Sequence, residues 1–347
     1  MADSTNQASV VVSPIRWNNP VGRPDRLATN ATADTTPTPT PVRPSSRAPP
    51  ASSGRAASNG TAACGRHVTD RRSSPFDTVA ETADRYGPSM AAIDDAIPQR
   101  RLGAALEPVI GQVYFSPECH AEYARLGFDA SGRDADGVAL PDVPAYFPSR
   151  GSLLGQVRGE VVAAAFAVFN PAVVVPCVDH GWSLTDAPTI CRARDTGALG
   201  QLHRILGPEP AGRDRVDALL RRATDHLPIG GRPLAAGVSG LDDPDDPLGT
   251  IWRRGDLLRE FRGDSHTAAW IDAGLDAIEI GLLTERFWGL PLRSYTRTRG
   301  WTDDDFDRGE ERLRVLGHLD AAGDFTPEGR ALREDIERST DAQMRPV

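Results

Sequence analysis

Four side chains at helical spacing could bind a small ligand. Arg259, Arg262 and His266 lie at offsets of 0, 3 and 7 residues, which places them along one stripe of a helix, and Trp270 continues that stripe. Two guanidinium groups and an imidazole beside an indole can hold a carboxylate or a planar acidic molecule by paired hydrogen bonds and stacking. The sequence therefore predicts a site for a small anionic or aromatic ligand at these four residues.

The same predicted helix also offers a purely structural role for its arginines. Glu260 and Asp264 lie four residues apart and would hold Arg259 and Arg262 in an ion-pair network. His266 is the one candidate for a general acid or base, but no nucleophile, metal-ligand pair or cofactor loop accompanies it. The sequence assigns no other catalytic residue, predicts no metal and no cofactor, and leaves open whether the protein is an enzyme.

A second set of arginines lies around a predicted turn in the C-terminal segment. Residues 291–297 predict a short helix, residues 299–301 a turn, and Thr302 the N-cap of a longer helix. Residues 320–324 would form a β-like wing, and Thr326 with the proline after it opens a final helix. This order is that of a winged helix-turn-helix, whose recognition helix enters the major groove of DNA. The arginines predicted to contact DNA are Arg293, Arg297, Arg299, Arg308 and Arg312.

Acidic residues at the same place argue against DNA contact. The start of the predicted recognition helix carries four carboxylates that would repel phosphate, namely Asp303, Asp304, Asp305 and Asp307. Residues 285–347 contain 11 arginines and 14 acidic residues, a net charge of −3. A helix start also favours carboxylates for structural reasons, because Thr302 and Asp305 have capping-box spacing. DNA binding and a winged helix with only a structural or protein-contact role therefore both stay open.

The elements that must position these residues are predominantly helical. Ser116-Pro117-Glu118 is typical of a helix start, and the Asp- and Pro-rich cluster at 242–247 precedes the longest helical pattern, residues 248–273. Another helical pattern covers residues 276–288, and none of these segments has the alternation of a strand. The sequence predicts a mostly α fold with a helical body over residues 99–275 and a winged helix-turn-helix-like domain over residues 276–347.

The N-terminal segment, residues 1–98, has a different composition. It is rich in Ser, Thr, Pro and Ala and contains few large apolar side chains, so it cannot bury enough surface to offset the entropy of ordering. We therefore predict a disordered tail, within which residues 74–87 would allow one short helix around Phe76 and Val79.

Overall composition excludes several classes of function. All 39 basic residues are arginine, which excludes Schiff-base and phosphate-loop lysine chemistry. The 48 acidic residues give a net charge of −9, so no overall positive field attracts nucleic acid or an anionic membrane. The chain starts without a secretory signal pattern, and its one long apolar stretch, residues 161–178, is interrupted by Pro171 and Pro176. We therefore expect a cytoplasmic protein with no membrane partner.

Four sequence blocks resemble a known bacterial family. "ALEPVIGQVYFSPE" (105–118), "EVVAAAFAVFNP" (160–171), "LLREFRGDSHTAAW" (257–270) and "RGWTDDDFDRGEERLRVLGHL" (299–319) resemble the SalK-like helix-turn-helix family of high-GC bacteria. "RVLGHLDAAGDFTPEGRALREDIE" resembles the end of a MarR-type winged helix. The resemblance implies an all-α N-terminal portion that carries a winged helix, and it assigns no firm biochemical role.

Two functional hypotheses follow from these patterns. The first is a regulator-like winged-helix protein that responds to a small molecule and contacts DNA, with a homodimer as the state usual for MarR-like regulators. The alternative is an enzyme or small-molecule-binding protein of secondary metabolism whose winged helix no longer binds DNA. The surface charge around residues 302–314 discriminates between them.

Overall fold

The computed structural model describes residues 97–129, 134–135, 138–139 and 143–347. The predicted N-terminal tail up to Ala96 and the predicted short helix at 74–87 lie outside these residues. The helices and strands of the body are α1 (Pro98–Ile110), α2 (Pro117–Arg125), β1 (Asp134–Ala135), β2 (Val138–Ala139), α3 (Val143–Gly151), α4 (Gly159–Phe166), α5 (Pro171–Leu184), α6 (Ala187–Leu206), α7 (Arg213–Thr224), α8 (Pro233–Ser239) and α9 (Pro247–Asp272). The two short strands pair in antiparallel register. Two 3₁₀ turns, Gly111–Phe115 and Ser152–Leu154, complete the body.

The C-terminal unit has the element order of a winged helix. It consists of α10 (Ala277–Phe287), a 3₁₀ turn (Thr296–Arg299), α11 (Asp303–Val315) and α12 (Pro327–Gln343). A single antiparallel bridge between Leu319 and Phe325 forms the wing. The helix predicted over 291–297 is instead a turn followed by the 3₁₀ segment. α11 ends at Val315, close to Gly317, whose φ of +74° turns the chain out of the helical path.

Most of the predicted helix starts are present. The Ser116 hydroxyl accepts the N–H of Cys119 at 3.2 Å at the predicted start of α2. The Asp186 carboxylate caps α6 in the same way, accepting the N–H of Thr189 at 2.7 Å. Asp276 with Glu279 and Thr302 with Asp305 form capping boxes at the starts of α10 and α11. Local sequence therefore determines where these helices begin.

Helix α9 forms the centre of the fold. It is 26 residues long and packs against α1, α6, α7, α8 and α12, so side chains are buried on every side of it. Trp252, Leu258 and Phe261 are buried apolar residues from different turns of this helix. A helix surrounded in this way brings residues from both ends of the described chain to one axis.

A buried cluster of charges joins the C-terminal helix to the body. The Asp341 carboxylate on α12 accepts from Arg100 at 2.6 Å and from Arg262 at 2.9 Å. Glu337, one turn earlier, accepts from Arg262 at 3.2 Å and from Arg333 at 2.5 Å. α1, α9 and α12 are thus held together by hydrogen-bonded ion pairs out of contact with water.

Within the described part of the chain, no helix has both the length and the apolar content needed to cross a membrane.

Glu337→Gln tests the buried charge cluster. The substitution keeps the volume of the side chain but leaves the buried guanidinium groups of Arg262 and Arg333 with less negative charge around them. We expect the free energy of unfolding in urea to fall by about 3–5 kcal/mol. Asp335→Asn, two residues away, removes an exposed ion pair with Arg338 and should change stability by less than about 1 kcal/mol. Equal losses in both variants would contradict the role assigned to the cluster.

Candidate functional site

A cavity lies between the helical body and the C-terminal unit. Its volume is about 230 Å³, and side chains from α1, α3, α4, α9, α10 and the 3₁₀ turn at Thr296–Arg299 line it. All four residues of the predicted ligand site, Arg259, Arg262, His266 and Trp270, are among them. The structure thus brings the predicted stripe to one cavity, together with Arg299, which the sequence placed on a DNA-binding surface.

Aromatic rings form much of the cavity wall. Phe166 and Phe169 pack against each other with ring centroids 5.9 Å apart, and Tyr146 lies 5.7 Å from Phe169. Trp288 and Tyr295 form a second pair on the C-terminal unit, with centroids 5.1 Å apart. Rings from both parts of the molecule therefore offer apolar contact to a flat ligand.

Carboxylates on neighbouring helices hold the guanidinium groups of Arg150 and Arg259. Arg259 binds Glu107 through two hydrogen bonds, at 2.9 and 3.3 Å, and Arg150 binds both oxygens of Glu260, at 2.9 and 2.7 Å. Although burial acts to raise the pKa of Glu260, the charges of Arg150 and Arg259 hold it down at about 2. The predicted ion-pair network therefore exists around Glu260, with Arg150 as a member that the sequence pattern did not indicate.

Arg262 faces the C-terminal helix. Its guanidinium group pairs with Glu337 and Asp341, so its charge is offset within the protein. His266 lies one turn further, where its Nδ1 is 3.2 Å from the Thr340 hydroxyl, which itself donates to the carbonyl of Ile336. Burial, followed by the charges of Arg333 and Arg262, lowers the pKa of His266 well below its ordinary value. His266 is thus a neutral imidazole at neutral pH.

Asp264 takes no part in the ion-pair network, and its predicted pairing with an arginine is wrong. Its Oδ2 accepts the backbone N–H of Ala235 at 2.9 Å, at the start of α8. No cation lies within ion-pair distance of this carboxylate in the described residues. Burial raises the pKa of Asp264 to about 6, because backbone donors offset only part of the loss of solvation. The cavity wall therefore includes a carboxylate without a counter-ion.

Arg299 contributes a positive charge to the same cavity. Its guanidinium group lies over the rings of Tyr295 and Phe169, at 4.3 and 4.6 Å from their centroids, and it donates to the hydroxyls of Tyr295 and Thr298. No carboxylate in the described part of the chain pairs with it. Arg299 thus presents a positive charge beside aromatic rings at the cavity, where it can receive an anion.

The loop that carries Arg299 is fixed from both sides. The buried carboxylate of Glu285 accepts the N–H groups of Arg293 and Thr296, each at 2.6 Å, and burial raises its pKa to about 7. From the body, the side-chain amide of Asn170 donates to the carbonyl of Gly300 at 3.0 Å. Glu285 and Asn170 were not predicted as site residues, since only a tertiary structure shows that they hold this loop.

The other predicted DNA-binding arginines are paired on the C-terminal unit itself. Arg293 contacts Asp307 and Glu310, at 2.7 and 2.6 Å, and Arg297 contacts Asp303 at 2.7 Å. Arg308 pairs with Asp305, and Arg312 with Glu279 at 2.9 Å. These carboxylates offset most of the positive charge that would face phosphate. Their contact with DNA stays a prediction.

The described residues contain no group of three or more histidine, cysteine, aspartate or glutamate side chains placed to hold a metal ion.

Comparison with known proteins gives one match. A model described as a helix-turn-helix family matches residues 99–347, which covers most of the chain. Searches of curated proteins and of solved structures found no match.

Asp264→Asn should remove a pH dependence of folding. An aspartate in an unfolded chain has a pKa of about 3.9, whereas burial raises that of Asp264 to about 6. The folded state therefore binds this proton more tightly, so the contribution of Asp264 to stability is complete below about pH 4 and is lost as pH rises to about 6. Relative to the variant, the wild-type free energy of unfolding should fall by up to about 1.4 kcal/mol per pH unit in this window. Urea unfolding from pH 4 to 7 measures it, and parallel curves would refute the assignment.

Proposed function

The chain belongs to this helix-turn-helix family, and from that premise we propose that it is a small-molecule-binding helix-turn-helix protein. The observation that carries the proposal is the cavity between the body and the C-terminal unit, where Arg299 offers a positive charge beside aromatic rings and no carboxylate of the described residues pairs with it. The Arg299 side chain is only partly exposed, so a ligand that brings a carboxylate to it gains a charge-assisted hydrogen bond that is partly shielded from water.

The cavity supports a compact ligand with an acidic group and a flat or apolar body. Its volume, about 230 Å³, is below the range of about 300–1,000 Å³ common for drug-sized ligands. Phe166, Phe169 and Trp288 offer the apolar contact. The indole N–H of buried Trp270 has no acceptor in the described residues and is a further donor for an acidic group.

We assign His266 a positioning role in this protein. Its contact with Thr340 links α9 to α12, and its neutral state suits a hydrogen bond better than an ion pair. Arg262 joins the same two helices, so both residues support the cavity wall.

Arg299→Gln tests the ligand site. The probes are 3-phenylpropanoate and its neutral amide, 3-phenylpropanamide, titrated into the full-length chain by calorimetry. We expect the wild type to prefer the acid, and Arg299→Gln to weaken binding of the acid about 10- to 100-fold, since a hydrogen bond to a charged group contributes about 1.5–3 kcal/mol.

The matched control is Arg308→Gln on α11, where the arginine side chain is 70% exposed. It removes the same charge from the molecule without touching the cavity, so affinity should stay at the wild-type value. Equal weakening by both variants would show a general charge effect, and binding unaffected by Arg299→Gln would overturn the site.

A second candidate function is a ligand-responsive DNA-binding regulator that acts as a cytoplasmic homodimer. The order of the 3₁₀ turn, α11, the bridge at Leu319 and α12 favours it, because recognition helices of this type enter the major groove. Cavity occupancy would then change the position of the 3₁₀ turn that precedes α11. The exposed carboxylates of Asp303 and Asp307 on α11 argue against DNA binding, because they would repel phosphate.

The charge pattern predicts no sequence-dependent DNA binding by the wild type at about 0.15 M salt. Fluorescence anisotropy with a duplex from upstream of the gene, and with a scrambled duplex, measures this at several salt concentrations. If the carboxylates cause the exclusion, the double variant D303N/D307N should bind both duplexes more tightly at low salt than the wild type. Sequence-dependent wild-type binding that falls steeply with salt and is lost in Arg308→Glu would instead establish the regulator.

A further inference from the structure

We propose that the ligand of the cavity is a zwitterion, with its carboxylate at Arg299 and an ammonium group at Asp264. This inference rests on the proposed function and narrows it to one chemical class, a small amino acid with an apolar or aromatic side chain.

The pairing of charges around the cavity leaves one group of each sign. Arg150 is held by Glu260, and Arg259 by Glu107. Arg262 is held by Glu337 and Asp341 on α12. Among the charged residues that line the cavity, only Arg299 and Asp264 then have no opposite charge within ion-pair distance in the described part of the chain.

Asp264 has the environment of a carboxylate that needs a cation. It is 4% exposed and accepts backbone N–H groups of α8, from Ala235 and Leu234. These donors orient the carboxylate but leave its charge uncompensated, and burial accordingly raises its pKa to about 6. A ligand ammonium in the cavity would restore the missing charge and favour the ionised carboxylate.

The charged neighbours of Asp264 do not supply the positive charge that its carboxylate lacks. Arg150 acts to lower the pKa of Asp264 and Glu260 acts to raise it. Since Arg150 and Glu260 bind each other through two hydrogen bonds, their effects on a third group largely offset one another. His266 lines the same cavity and is neutral, so it neither repels an ammonium nor replaces it.

The rest of the cavity fits the apolar part of such a ligand. Arg299 lies over Phe169 and Tyr295, so a carboxylate bound there has aromatic rings beside it. Phe166 and Trp270 continue the wall between α4 and α9. An amino acid with a large apolar side chain supplies one group of the matching chemistry for each of these three environments.

The test compares three ligands that differ in one charged group each. L-Phenylalanine, 3-phenylpropanoate, which lacks the amino group, and phenethylamine, which lacks the carboxylate, are titrated by calorimetry into the full-length wild type at pH 7.5. We expect phenylalanine to bind at least 10-fold more tightly than either of the others. Asp264→Asn, which retains an oxygen for the N–H of Ala235, should abolish the gain from the amino group, so that phenylalanine and 3-phenylpropanoate bind this variant with affinities within about 3-fold of each other.

The outcomes separate this inference from the proposed function. Arg299-dependent binding of 3-phenylpropanoate with no gain from the amino group overturns the zwitterion and leaves the ligand site standing. An amino-group gain that persists in Asp264→Asn overturns the role of Asp264. Binding of none of the three ligands overturns both proposals. The wild-type comparison alone decides the ligand class even where a variant fails to fold.

Discussion

The structure depends on the pairing of buried charges along α9. A charge removed from water is unfavourable by several kcal/mol unless an opposite charge and hydrogen bonds compensate it. On α9, Asp256 pairs with Arg194 at 3.0 Å and Arg253 with Asp195 at 2.5 Å, which joins α6 to the central helix. Glu260 and Arg262 join α3 and α12 in the same way. The need to pair each of these buried charges therefore helps to determine how α3, α6 and α12 are placed against α9.

Two charged groups at the cavity, Arg299 and Asp264, depart from this pattern of pairing. The buried arginines of α9 and its neighbours have carboxylate partners, whereas the partly exposed Arg299 and the buried Asp264 have no counter-ion among the described residues. Asp264 orients the start of α8 much as the buried Glu285 orients the loop of Arg299, but of these two carboxylates only Asp264 lines the cavity. A ligand that brings the two opposite charges would compensate both groups at the same cavity.

The sequence predicted the helices well and the site in part. Caps at Ser116, Asp276 and Thr302 are local signals, so the starts of these helices followed from neighbouring residues. Helical spacing likewise placed Arg259 and Trp270 on one stripe. Ion-pair partners from distant segments could not be predicted from the sequence, since Arg150 and Glu260 are 110 residues apart. The spacing of four between Glu260 and Asp264 also did not indicate that Glu260 pairs with arginines while Asp264 does not. The sequence assigned Arg299 to a DNA-binding surface because it lies next to the predicted turn. The direction of its side chain depends on how Asn170 and Glu285 hold the loop, and only the tertiary structure shows those contacts.

The same loop makes the cavity part of the helix-turn-helix unit. Tyr295, Thr296 and Arg299 line the cavity, and only three residues separate α11 from the 3₁₀ turn that contains Thr296 and Arg299. Glu285 holds this turn by backbone hydrogen bonds at 2.6 Å, while Asn170 holds its far end from the body. A ligand at Arg299 therefore contacts the segment that positions α11. The position of α11 and the wall of the cavity depend on one short piece of chain, so under the proposed function ligand binding would be coupled to whatever α11 contacts.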